Sequence, residues 1–282
     1  MKMKSIGFRA AIISAFILGV LLLAWYGATL PKVTAQGSNM SAEYAALMGG
    51  AAAKSNSGLP TPMDVAKTFW DKLGKPFYDN GPNDKGIGIQ LAYSLARVMI
   101  GFFFAALVAV PLGFLVGMSP VMHRALNPFI QVLKPISPLA WMPLALYTIK
   151  DSSISAVFVI FICSLWPMLI NTAHGVATVK REWLNVARTM EVNPLRKALQ
   201  VILPAAAPTI LTGMRISMGI AWLVIVAAEM LVGGTGIGYF VWNEWNNLSL
   251  TNVIFAILMI GLVGMALDLM FGWLSKLVAY QE

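Results

Sequence analysis

The chain has 282 residues, of which 58% are hydrophobic and only 11% charged, against roughly 45–50% and about 25% in soluble domains. That composition excludes a water-soluble globular protein and points to an all-α integral membrane protein. One cysteine, Cys163, in an apolar run, and two histidines, His123 and His174, give no disulfide and no set of ligands for zinc or haem. The net charge of +8 concerns which loops carry it rather than nucleic acid.

In chain order, six segments are long enough to span a bilayer, which takes about 20 apolar residues as helix. They are Ala10–Leu30, Gln90–Gly117, Leu126–Ile149, Ile154–Thr172, Leu203–Val232 and Val253–Trp273. The first has a rival reading as a cleaved signal peptide, with Lys2, Lys4 and Arg9 ahead of it and Val33-Thr34-Ala35 as a cleavage site. Its apolar stretch exceeds the roughly 7–15 residues of a signal core, which favours a retained helix. The third carries Pro128, Pro135, Pro138 and Pro143, each removing a backbone hydrogen-bond donor, so it is the least regular span.

These segments divide the chain into a first membrane helix (1–30), an outer loop (31–88) and a core transmembrane region (89–282). The loop is Ala/Gly/Ser/Met-rich and flexible to Gly58. Thr61-Pro62-Met63-Asp64 then opens a short helix with Val65, Phe69 and Leu73 on one face, predicted to lie on the membrane surface. Asp79-Asn80-Gly81-Pro82-Asn83-Asp84 reads as turns. With the N-terminus inside, ten basic residues fall in cytoplasmic segments and seven outside, mostly in the long loop. Long loops count little in this rule, so both termini are expected in the cytoplasm.

The inner segment from 175 to 204 is the most informative. Trp183, Val186, Ala187 and Met190 share one helix face, and Asn193-Pro194 starts a second helix bearing Leu195, Ala198, Leu199 and Ile202. The product is a basic-flanked hairpin with an apolar face, which either lies on lipid or docks into another protein. Asn185-Val186-Ala187, Glu191 and Val201-Ile202-Leu203-Pro204 match the spacing of the E-A-A-x3-G-x9-I-x-L-P loop. In that spacing the chain resembles the membrane permeases of binding-protein-dependent, ATP-driven importers. Asn185 stands for the usual Glu, and Glu191 for a Gly that eases the turn between helices.

Pro135–Pro143, Val186–Met190, Gly219–Trp222 and Ala227–Met230 resemble the branch for nitrate, nitrite, bicarbonate, cyanate and alkanesulfonates. Phe77–Gly81 and Gly86–Gln90 look most like its nitrate and bicarbonate subgroup. The resemblance implies a type I ABC importer permease fold in a bacterial inner membrane, with the chain paired to a second copy. Its further partners would be two cytoplasmic ATPase subunits, which hold ATP and Mg, and a periplasmic or lipid-anchored substrate-binding protein. The chain itself would need no cofactor. Coupling to the ATPases would fall to Asn185, Val186, Ala187, Arg188, Thr189, Met190, Glu191 and Pro204, and the cargo would be a small anion, nitrate or nitrite first.

Five ionisable residues lie within spans, and each needs a partner or water there. Arg97 and Glu229 lie at similar depth with opposite sign, a candidate structural ion pair. Lys134 and Arg215 either snorkel to the inner surface or line an anion path, with Asp268 a candidate partner for either. Gly233-Gly234-Thr235-Gly236-Ile237-Gly238 follows a membrane helix rather than a strand, so it is a tight re-entrant turn and no phosphate loop. Two other classes fit less well. A secondary transporter would want paired broken helices, and one broken-looking span has no second copy. An intramembrane enzyme would want a nucleophile beside a base, and neither G-x-S-x-G, H-E-x-x-H nor Walker A is present.

Overall fold

The computed structural model describes residues 2–29, 59–81 and 83–278, with side chains from residue 8 onward. The candidate cleavage site Val33–Ala35, the stretch 31–58 expected to be flexible and Pro82 of the expected turn lie outside them. Among the described residues the regular structure is helical, apart from one isolated bridge between Asp79 and Lys85. The chain divides into two compact units, residues 1–75 with 244–255 and residues 76–243 with 256–282.

In the first unit, α1 (Lys2–Thr29) presents apolar side chains all round, including Phe8, Phe16 and Leu23, as a lipid-facing helix does. Helix α2 (Pro62–Gly74) begins with a capping box: the Thr61 hydroxyl accepts the Asp64 amide at 3.2 Å and the Asp64 carboxylate accepts the Thr61 amide at 3.2 Å. The Thr61 hydroxyl and amide hold the Asp64 carboxyl below the usual aspartate range. The face expected to rest on the membrane is only partly covered by protein, with Leu73 42% exposed. Val65 is buried, and the Phe69 ring meets Phe255 edge-on at 5.3 Å. Trp70 is exposed.

The second unit is built on three long helices, α3 (Ile87–Met118), α6 (Ser152–Ala177) and α9 (Leu203–Val232), with α6 packed against both others. Small residues let them approach. A Cβ on Gly101 or Gly113 of α3 would stand 2.8 or 2.6 Å from Ile160 or Thr172 of α6, inside any permitted contact, so backbones meet there as small-residue faces allow in membranes. Val98, Ala105, Val159, Ile160, Ala221 and Ile225 fill the centre, and Ser217 donates to the Ser164 carbonyl at 2.8 Å.

Two expectations are corrected. The third span is not one helix from 126 to 149. Helix α4 runs Pro120–Leu133, a 3-10 turn follows at Pro138–Trp141, and α5 takes Met142–Ile149, the two halves bent by 85°. Lys134 keeps helical angles (φ −56°, ψ −45°) and its amide bond to the Ile130 carbonyl, and the break follows at Pro135, which has no amide donor and whose ring would crowd the carbonyl of Gln131. The second inner helix is likewise not separate. Helix α8 (Pro194–Lys197) continues through a π turn at Ala198–Ile202 into α9. Pro204 has no amide hydrogen and its ring would crowd the carbonyl of Gln200, and the wider π turn accommodates it. Among the described residues there are therefore five long apolar helices plus the broken pair. The remaining elements are α7 (Arg181–Thr189), α10 (Ile237–Asn246) and α11 (Leu250–Val278).

Candidate functional site

Helix α7 and the start of α8 form the expected hairpin. Asn193 caps α8, its side chain accepting the Leu195 amide at 3.3 Å. The turn before it closes with the Val192 amide on the Ala187 carbonyl at 3.1 Å and the Glu191 amide on the Arg188 carbonyl at 3.0 Å. That pair of bonds is a Schellman cap, which wants a left-handed residue after the helix. Glu191 supplies it with φ 53°, taking the glycine conformation without being glycine. An L-residue there costs about 1–2 kcal/mol.

Behind the turn, Val176, Val179, Ile202, Ala206 and Ile210 form a buried cluster to which Leu184 adds. The hairpin is thereby seated on the ends of α6 and α9. Its outer face carries Trp183, Val186 and Met190, the last two 60% and 71% exposed. Ala187, expected on that face, is 4% exposed and lies in the depression that Trp183, Val186 and Met190 also line. Asn185, Arg188 and Thr189 are exposed, with the Thr189 hydroxyl returned to the Asn185 carbonyl at 3.1 Å. Pro204 lies in the continuous helix, away from the hairpin tip.

At the other end of the same helices, Arg97 and Glu229 are in contact. The guanidinium donates to the carboxylate at 2.7 Å, to the Thr235 carbonyl at 2.6 Å and to Ser153 at 3.1 Å. Glu229 is 1% exposed and also accepts from the Ser94 hydroxyl at 2.8 Å and the Gly238 amide at 3.0 Å. The Gln90 side-chain oxygen takes the Gly236 amide at 2.6 Å, and Ser94 takes that of Ile237 at 2.9 Å. Here the glycine-rich turn folds back over the end of α9. A Cβ on Gly236 would fall on the Glu229 carboxylate, and one on Gly238 on the Val226 carbonyl. Only glycine admits that approach. Gln90, Ser94 and Ser153 were not singled out in the sequence. The legible signal was the polar stripe Gln90, Ser94, Arg97 at i, i+4, i+7 in an otherwise apolar span.

Arg215 is not a free cation. It forms a bidentate pair with Asp268 of α11 at 2.5 and 2.6 Å, on the exposed side of both helices. Lys134, by contrast, stands exposed at the end of α4, on the wall of a cavity of about 530 Å³ between α3, α4 and α6. Arg215 is not among the residues that line the cavity holding Lys134.

A family model described as binding-protein-dependent transport system inner membrane component matches residues 109–280. The chain belongs to this family. It is 44% identical over 226 residues to a nitrate import permease protein, NrtB, of Synechocystis sp., covering 80% of this chain and 82% of that one. A bicarbonate transport system permease protein, CmpB, from the same organism is 42% identical over 205 residues, 72% of this chain and 73% of the relative. An inward-facing structure of the MetNI methionine ABC transporter shares the fold at TM-score 0.60 and 14% identity, over 67% of this chain and 94% of that one. The chain is therefore a multi-pass permease subunit of the ABC importer type, and transport through it depends on a separate binding protein.

Proposed function

We propose that this permease imports a small inorganic anion, nitrate or nitrite first, by alternating access. The observation that carries the reading is the 44% identity to a nitrate import permease over four-fifths of the chain. Bicarbonate is the second reading, favoured by the 42% identity to CmpB; nitrate and bicarbonate are both planar and monovalent, which is why one permease scaffold suits either.

In the working complex two copies of the chain pair, and each α7 docks into a groove on a cytoplasmic ATPase subunit through Trp183, Val186 and Met190. ATP and Mg are held by those subunits and not by this chain. Closure of the ATPases presses on the hairpin, whose Schellman turn and buried cluster pass the displacement to α6 and α9. Both chain termini lie on the ATPase side, and the binding protein delivers the anion at the opposite face, near the Gly233–Gly238 turn.

The test is reconstitution of the permease with its ATPase and binding subunits in proteoliposomes. ATP-dependent accumulation of labelled nitrate, with none when the binding protein is omitted and no ATPase activity in the permease alone, is the expected result. Uptake of bicarbonate with no uptake of nitrate would replace the first reading by the second.

A further inference from the structure

The positive charges inside the membrane helices are not equivalent. Arg97 is paired with Glu229 and Arg215 with Asp268. The third basic residue that the sequence places within a span, Lys134, shares its cavity with Arg124 and with both histidines of the chain, His123 and His174. No carboxylate lines this cavity. Between Asp84 and Glu182 the sequence holds one acid, Asp151, which caps the far end of α6, about 35 Å from His174 by helical rise.

The wall is organised rather than incidental. His123, Asn127, Gln131 and Lys134 fall at i, i+4, i+8 and i+11, one face of α4, and all four line the cavity with Arg124 beside them. The opposite side of α4 carries Val121, Phe129 and Val132, apolar and exposed. The opposite wall is apolar, from Val116, Leu169 and Ile170, so the cations and amides of α4 form one polar side of an otherwise apolar cavity, where a polar occupant would bind. Uncompensated cations, amide donors and imidazoles select an anion. The volume admits a small ion with much of its hydration, at about 30 Å³ per water, which suits weak, reversible binding rather than a tight trap. The cavity opens beside the ends of α3 and α6, on the same side of the helices as the α7 hairpin.

We propose that this cavity is an oxyanion site on the ATPase-facing half of the permease, the last station before release, with Arg124 and Lys134 supplying the charge and His123, His174, Asn127 and Gln131 the directional donors. The inference rests on the reading of the chain as an anion importer, and it moves the candidate path from Arg215 to α4.

The two histidines provide a readout independent of transport. The full chain, assembled with its ATPase subunits in phosphatidylcholine vesicles, is treated with diethyl pyrocarbonate, and modification of His123 and His174 is followed by peptide mass spectrometry. The same peptides from denatured protein correct for ionic strength. Nitrate at about 100 mM, far above a millimolar Kd, should slow modification of both histidines at least about threefold. Urea at equal osmolarity should have no effect, and R124Q/K134Q should lose the protection while still assembling. No protection by nitrate, bicarbonate or sulfate overturns the proposal. So does protection by phosphatidylglycerol vesicles alone, which would make the occupant a lipid headgroup. Protection by bicarbonate but not nitrate sustains the site and removes nitrate as cargo, whereas nitrate uptake without protection sinks the site and leaves the import reading intact.

Discussion

Replacing Arg97 by methionine keeps most of the apolar stem and removes the charge. Glu229, 1% exposed, is then left with the Ser94 hydroxyl at 2.8 Å and the Gly238 amide at 3.0 Å, two neutral donors for a buried carboxylate. Breaking a buried pair by removing one partner costs about 3–5 kcal/mol. The lost hydrogen bond to the Thr235 carbonyl adds about 1 kcal/mol. A double variant, R97M/E229M, removes both charges and returns the site to apolar packing, so it should be less destabilised than the sum of its single changes. The expected coupling is about 2–3 kcal/mol. A double-mutant cycle of detergent-driven unfolding in mixed micelles, followed by tryptophan fluorescence, measures it. Additivity within about 0.5 kcal/mol would refute the pair as an energetic unit, and the Gly233–Gly238 turn would then be held by its backbone bonds alone.

Glu191→Gly should stabilise the hairpin by about 1 kcal/mol by relieving the left-handed strain, seen as slower hydrogen exchange of the Glu191 and Val192 amides; faster exchange would contradict the Schellman assignment. Val186→Asp and Met190→Asp, on the outer face, should abolish co-purification of the ATPase subunits, because a carboxylate buried unpaired at an interface costs several kcal/mol. Ala187→Asp should instead destabilise the hairpin itself, as protease sensitivity in the permease alone would show. The Asp64 carboxyl lies below its ordinary value of 3.8 because Thr61 hydrogen-bonds its charged form. Its support of α2 is therefore present above that value and is lost as the pH falls further, so the amide of Asp64 should lose protection on acidification, and D64N should flatten that dependence.

Composition alone settled that the chain lives in a membrane, because 11% charged residues cannot cover a water-facing surface. Hydrophobic run length located the spans, since a bilayer thickness translates directly into helix length. The Asn193-Pro194 helix start and the i, i+3, i+4 stripe of α7 were equally legible, being local chemistry. Sequence spacing also placed Glu191 at a turn, but only the structure gives its φ of 53°. Depth and opposite sign along the chain picked out Arg97 with Glu229 and left Asp268 open between Lys134 and Arg215; which contacts form was decided by the packing. Arg215 finds Asp268 53 residues away and Arg97 finds Glu229 132 residues away, on helices that only the tertiary fold sets side by side. The stripe on α4 was hidden for a related reason. Lys134 looks isolated along the chain, and His123 and His174 lie on different helices. The 85° bend at the third span and the return of α6 beside it are what gather them around one cavity.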